Sequence, residues 1–166
     1  MISPGLTEVT IQAEGQSPAT AQHTRKISIN TPQVNDLTMV ASEQQITAEA
    51  DGRTRIVEIE LTNNGNAPER FDLSLTADWR LEASVSQPVT EEIGSDGDSS
   101  TILLVMPMPY GIRPDTYFLT VRASSQENPS FFKLAQIELI VEPTYLINVE
   151  DVDMSGQTFQ GGADVK

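Results

Sequence analysis

Val57-Glu58-Ile59-Glu60-Leu61-Thr62 sets aliphatic side chains in strict alternation with polar ones. Asn63-Asn64-Gly65-Asn66 then ends the run with residues that tolerate left-handed backbone. Outward from it, Phe71-Asp72-Leu73-Ser74-Leu75, Trp79-Arg80-Leu81-Glu82-Ala83-Ser84-Val85 and Tyr117-Phe118-Leu119-Thr120-Val121 repeat the alternation. A period of two, broken by turn residues about every ten positions, is the pattern of an all-β chain folded as an antiparallel β-sandwich. No window offers a competing helical stripe.

The pattern predicts strands over 36–40 and 45–49, as halves of a broken first strand, then over 54–62, 69–76, 79–86, 99–106, 116–124 and 133–142. Alternation assigns Val57, Ile59, Leu61, Phe71, Leu73, Leu75, Trp79, Leu81, Val85, Leu119, Val121, Ile137 and Leu139 to the core. It assigns Glu58, Glu60, Asp72, Arg80, Glu82, Arg122 and Glu138 to solvent. Asp96-Gly97-Asp98 supplies a tight turn before the strand at 99–106. Pro107, Pro109 and Pro114 have no amide hydrogen for a ladder, so 107–114 is expected to be a crossing loop.

Composition narrows the function classes. A net charge of −14 argues against nucleic acid and anionic membrane surfaces, which need clustered Lys and Arg. There is no cysteine, hence no disulfide, thiolate metal site or thiol nucleophile. Met1-Ile2-Ser3-Pro4-Gly5 lacks the basic and apolar regions of a signal peptide, and no apolar run approaches a membrane span. An export signal or anchor is expected to lie outside this stretch.

The beginning of the chain resembles its later part. The run from Ile2 to Gln16 aligns without gaps on the run from Ile112 to Gln126, with Ile2/Ile112, Pro4/Pro114, Thr10/Thr120 and Ala13/Ala123 identical. After a one-residue shift, Ile27-Ser28-Ile29-Asn30-Thr31-Pro32 falls on Glu138-Leu139-Ile140-Val141-Glu142-Pro143. The period of about 110 residues is the size of one sandwich domain. Residues 1–32 are therefore read as the last two strands of a preceding repeat, 33–143 as a complete repeat and 144–166 as the start of a following one. On this reading the chain is a window cut from a tandem array.

Four features then converge: the Thr62-Asn63-Asn64-Gly65-Asn66-Ala67-Pro68 turn, the isolated Trp79, the Gly97-Asp98-Ser99-Ser100 entry to a strand ending at Pro107, and Gly111 followed by Pro114-Asp115-Thr116-Tyr117. Over about residues 45–142 the chain resembles the immunoglobulin-like domains found beside NPCBM modules in alpha-galactosidases, and the related CARDB domains of prokaryotic surface and secreted proteins. Asp115 stands where most members have glycine. The resemblance implies an Ig-like sandwich without catalytic residues, used as a module of large secreted or surface-attached proteins. Tyr117 sits where a tyrosine corner would bond nearby backbone, and Trp79 is the ring expected to plug the core, with a sugar-stacking platform as its other reading.

Chemistry-bearing residues are sparse. His23, the only histidine, lies in a polar stretch over 15–26 read as a loop. The acidic residues lack the apolar surroundings that would raise a pKa for acid–base work. Asp96 and Asp98 are the calcium candidates, because calcium takes carboxylate and carbonyl oxygens from a flexible loop; Glu150-Asp151-Val152-Asp153 is a second. The simpler reading of both is turn and surface chemistry, with no cofactor.

The leading functional expectation is a non-enzymatic spacer and adhesion repeat of an extracellular or cell-surface protein. Its expected partners are neighbouring repeats, other surface proteins, or copies of itself joined through the terminal strands. One alternative is an accessory, carbohydrate-binding module of a secreted glycoside hydrolase or protease, with Tyr110, Phe131 and Phe132 as candidate exposed rings. The other is a subunit of a filament or surface layer assembled by strand exchange.

Overall fold

A computed structural model describes residues 2–14 and 22–143. In these residues ten strands run in chain order: β1 (Gly5–Glu14), β2 (Gln22–Thr31), β3 (Leu37–Ala41), β4 (Gln45–Glu49), β5 (Thr54–Asn63), β6 (Phe71–Thr76), β7 (Ser84–Val85), β8 (Asp98–Pro107), β9 (Asp115–Ser125) and β10 (Phe132–Glu142). The last eight form two sheets, β4-β10-β9-β6 and β3-β5-β8-β7; among the described residues the first two pair only with each other.

The broken first strand serves both layers. β3 pairs antiparallel with β5, and after a short break β4 pairs parallel with β10 in the opposite sheet. Every other ladder is antiparallel. The strand order is that of a constant-type immunoglobulin sandwich with its first strand shared between sheets. The alternation read from the sequence meets in the middle: Val57, Ile59, Leu61, Ile102 and Leu104 from one sheet close on Phe71, Leu119, Val121, Ile137 and Leu139 from the other. Each such side chain contributes about 1.5–3 kcal/mol relative to exposure, before conformational entropy is subtracted. Ile93 and Met108 plug the core from loops.

The turns behave as their residues require. Asp96 and Gly97 both adopt positive φ, at 63° and 93°, and the backbone then enters β8. Tyr117, buried at the start of β9, donates its hydroxyl hydrogen to the Arg113 carbonyl at 2.9 Å, a tyrosine corner.

Expectations fail at Pro107, which ends β8 opposite Thr54 instead of opening the crossing loop, and at Trp79 with the strand around it. Trp79 is not in the core: it is 88% exposed. The strand expected over 79–86 shrinks to β7, Ser84–Val85. The cause is a turn at Asp78. Its carboxylate accepts hydrogen bonds from the Arg80 amide at 3.0 Å and from the Arg80 guanidinium at 2.8 Å twice over, while its carbonyl accepts from the Leu81 amide at 2.9 Å. Trp79 rides on the outside of that turn, and Leu81 still reaches the core. The large ring filling the sandwich is Phe71.

Candidate functional site

The first candidate is the hairpin β1–β2. Its ten pairs run from Gly5–Thr31 to Glu14–Gln22, so Thr7/Ile29, Val9/Ile27, Ile11/Arg25 and Ala13/His23 share one face. Leu6/Asn30, Glu8/Ser28, Thr10/Lys26 and Gln12/Thr24 share the other. The first face is the apolar one, and it is exposed: Val9, Ile11, Ile27 and Ile29 are 40–51% exposed, and among the described residues neither strand lies against any strand but the other. The opposite face carries an exposed Lys26–Glu8 ion pair at 3.2 Å, of the kind worth little in water. An exposed aliphatic row with an unpaired edge on either side is what a sheet presents before its neighbours arrive.

The base of this arm is tied to the sandwich by the turn after β5. Asn66 donates its side-chain amide to the carbonyls of Ile2, at 3.1 Å, and Pro32, at 3.0 Å, one on each limb of the hairpin. Its side-chain oxygen accepts from the Val34 amide at 2.8 Å. Asn63 staples the turn from inside, donating to the Ala67 and Ile93 carbonyls and accepting from the Gly65 amide. Gly65 must be glycine, since a Cβ there would stand 2.5 Å from the Val34 carbonyl oxygen. The asparagine-glycine turn is thus the joint between arm and sandwich. The sequence marked it as a turn, but nothing in its residue types indicated what it holds.

The second candidate is an aromatic corner at the end of the sandwich. Trp79 and Tyr110, both largely exposed, flank a shallow recess of about 340 Å³ that Arg80, Ile112 and Arg113 also line. Tyr110 lies on Gly52, whose missing Cβ makes room for the ring: an added Cβ would stand 2.7 Å from it. Arg80 stacks 5.0 Å above the Tyr117 ring. Its paired guanidinium holds the Asp78 carboxyl down at about 2, the side-chain hydrogen bond being the main cause and the Arg80 backbone amide the next. Phe131, expected as an exposed ring, instead packs half-buried against the core. Phe132 is half-exposed under Arg122, whose guanidinium carbon lies 4.3 Å from the ring centre.

The remaining predicted residues that the structure describes lie apart or at a turn. His23 is in β2 opposite Ala13, not in a loop, and is exposed. Asp98 directs its carboxylate to the Gly94 amide at 2.9 Å and the Ser99 amide at 3.0 Å, which closes the turn. Asp96 is exposed at that turn, and among the described residues no group of three or more His, Cys, Asp or Glu side chains is placed to hold a metal. Glu150, Asp151 and Asp153, with the whole of 144–166, lie outside the described residues. One buried carboxyl went unnoticed in the sequence. Glu69 is 4% exposed and accepts the Ser125 hydroxyl hydrogen; burial pushes its pKa above the usual carboxylate range, with Glu127 adding to the rise. Among the described residues no helix is long and apolar enough to cross a membrane.

No protein-family model matches the chain, and no curated protein matches it in sequence. Solved structures match in fold. The YadV chaperone aligns with 18% identity and a TM-score of 0.44, over 66% of this chain and 54% of that one. Domains 4 and 5 of the S-layer protein SbsC align with 14% identity and a TM-score of 0.42, over 83% and 65%. A family 123 glycoside hydrolase from Clostridium perfringens aligns with 10% identity and a TM-score of 0.49, over 65% and 27%. The chain spans less than two thirds of each of these structures. At such identities the likeness is one of fold alone, and the fold is the all-β, Ig-like sandwich that the strand order describes.

Proposed function

We propose that the chain is a non-catalytic, Ig-like repeat of a large extracellular or cell-surface protein, serving as spacer and protein-interaction module. The NPCBM-associated and CARDB-like domains are the kind it resembles. The observation that carries this reading is the bare apolar face of β1–β2, held at its base by Asn66. A face of that kind is an interaction surface, whereas nothing among the described residues pairs a nucleophile with a base. The acidic surface suits a module that works beside many copies of itself without collapsing onto anionic polymers. Surface labelling tests the location: on intact cells of the producing organism an antibody to the sandwich should bind, and binding only after lysis would overturn the reading.

A second reading, an accessory carbohydrate-binding module, is favoured by Trp79 and Tyr110 flanking one recess. Aromatic rings that are rigidly mounted and solvent-exposed offer stacking faces to a sugar. On this reading Trp79→Ala abolishes retention on immobilised polysaccharides and changes stability by less than about 0.5 kcal/mol, as a surface substitution does. A wild-type chain that no panel of neutral or acidic glycans retains removes it.

A further inference from the structure

The arm's pairing reproduces that of another hairpin in the same chain. In β9–β10 the pairs run from Asp115–Val141 to Ser124–Phe132; in β1–β2 they run from Gly5–Thr31 to Glu14–Gln22. Adding 110 to both members of any arm pair gives a pair of β9–β10. Val9/Ile27 thus falls on Leu119/Ile137, Thr7/Ile29 on Tyr117/Leu139 and Ile11/Arg25 on Val121/Ala135. All six of those β9–β10 residues are buried. The sequence run Ile2-Ser3-Pro4 leads into β1 as Ile112-Arg113-Pro114 leads into β9. Two unrelated hairpins share a length by chance, but not also an offset, a core face and a lead-in.

We propose that β1–β2 is the closing hairpin of a second Ig-like sandwich, and that its occupant is the open remainder of that sandwich, a segment preceding it in the same polypeptide. The inference rests on the repeat reading above and adds the geometry of the contact. In the complete domain, β4 runs parallel along β10 over 138–142 and β6 runs antiparallel along β9 over 120–125. By the same offset, the free edge of β2 takes a parallel strand beyond Ser28, and the free edge of β1 takes an antiparallel strand beyond Thr10. The face of Val9, Ile11, Ile27 and Ile29 takes a sheet like β3-β5-β8-β7. The same polypeptide is the source because a closing hairpin follows the strands it completes, as β9–β10 follows β3 to β8. Thr7 in place of Tyr117 and Arg25 in place of Ala135 require a bulkier neighbour near the lead-in and a polar outlet near the far end.

The test supplies a surrogate partner made from the chain itself. Residues 33–111, which contain β3 to β8, are fused directly before residue 2 of the whole chain, where Gly111 would meet Ile2 as it meets Ile112. Hydrogen exchange is then followed along β1 and β2, with and without the fusion. The expected result is that arm amides that exchange freely in the unfused chain slow by about two orders of magnitude or more, because they now open only with a cooperative unit. A second fusion carries Thr7→Tyr and Arg25→Ala, restoring the inward residues of β9–β10. If neither fusion slows the arm, the closing-hairpin assignment is wrong, whatever surface labelling says of location. If the unfused chain already protects the same face by dimerising, the occupant is a second copy and the proposal fails.

Discussion

In β9–β10, Leu119 and Ile137 face each other with no exposed surface; in β1–β2, the corresponding Val9 and Ile27 are 40% and 46% exposed. The ladders are the same, so the cross-strand hydrogen bonds do not distinguish the hairpins. What differs is everything that touches them. β9 and β10 are flanked by β6 and β4 and covered by the facing sheet, while among the described residues β1 and β2 have only each other. Amphipathic alternation records a burial that the strand is suited to, and a partner has to realise it. An isolated two-stranded ladder is marginal in water, and among the described residues the arm has little beyond its own ladder and the Asn66 tie to hold it.

The largest effect that would break this comparison comes from truncating the matched pair of residues. Leu119→Ala should lower the unfolding free energy of the sandwich by about 2–5 kcal/mol, since it deletes fully buried methyl groups and leaves a cavity. Val9→Ala, at the equivalent arm position, should change it by less than about 0.5 kcal/mol. Urea denaturation of the two variants gives both numbers. Equal losses would mean that the arm's face is already covered in the isolated chain.

The same pair of hairpins shows how far the sequence could be read. Strand positions and the inward set were legible because alternation has a period of two and a core on one side; Ile59, Leu61, Leu119 and Leu139 all went where it sent them. The likeness of the two hairpins was legible too, but matching Ile27 to Glu138 needed a one-residue shift that the pairing does not support. In the observed register Ile27 falls on Ile137 and Ile29 on Leu139, and a slip of one residue would have turned the second strand inside out. Trp79 was misplaced because alternation assigns faces only within a strand. The Asp78 turn ends β6's run, and residue type alone does not show that an aspartate will bond the amide two residues on. Of the candidate site, the two strands of the arm were foreseen. The Asn66 joint was not, because its partners are carbonyls 64 and 34 residues away.

A smaller effect sharpens the contrast from the sandwich side. Glu69 sits beside Ser125 at the end of β9, so its ionisation acts on the completed hairpin. Burial raises its folded-state pKa above the ordinary 4.5. A raised carboxyl pKa means that the folded state holds its proton more tightly than the unfolded chain. That contribution is fully present below the ordinary value and is lost as pH rises through the folded one. Glu69→Gln keeps an acceptor for Ser125 and removes the titration. The wild type should therefore lose stability relative to the variant as pH climbs from about 4 towards neutrality. Parallel curves for the two proteins would show that the carboxyl ionises in the folded state without penalty.

The smallest effect on stability concerns the joint itself, where the two regions meet. Asn66→Asp leaves the acceptor for the Val34 amide but removes both donors, and sets a carboxylate against the carbonyls of Ile2 and Pro32. Both of those residues are exposed, so water can take over their carbonyls, and the global cost should be about 1 kcal/mol, the worth of an ordinary hydrogen bond. The arm should respond more than the sandwich does. With neither limb tied to the turn, protease cleavage near residues 31–33 should quicken while cleavage within β3 to β10 stays as slow as before. Asn66→Ala, which removes the donors without adding charge, separates the two contributions: it should loosen the arm less than the aspartate does. If both variants leave cleavage at the joint unchanged, the hinge is held by the chain's path through Pro32 alone, and Asn66 is a passenger in the turn.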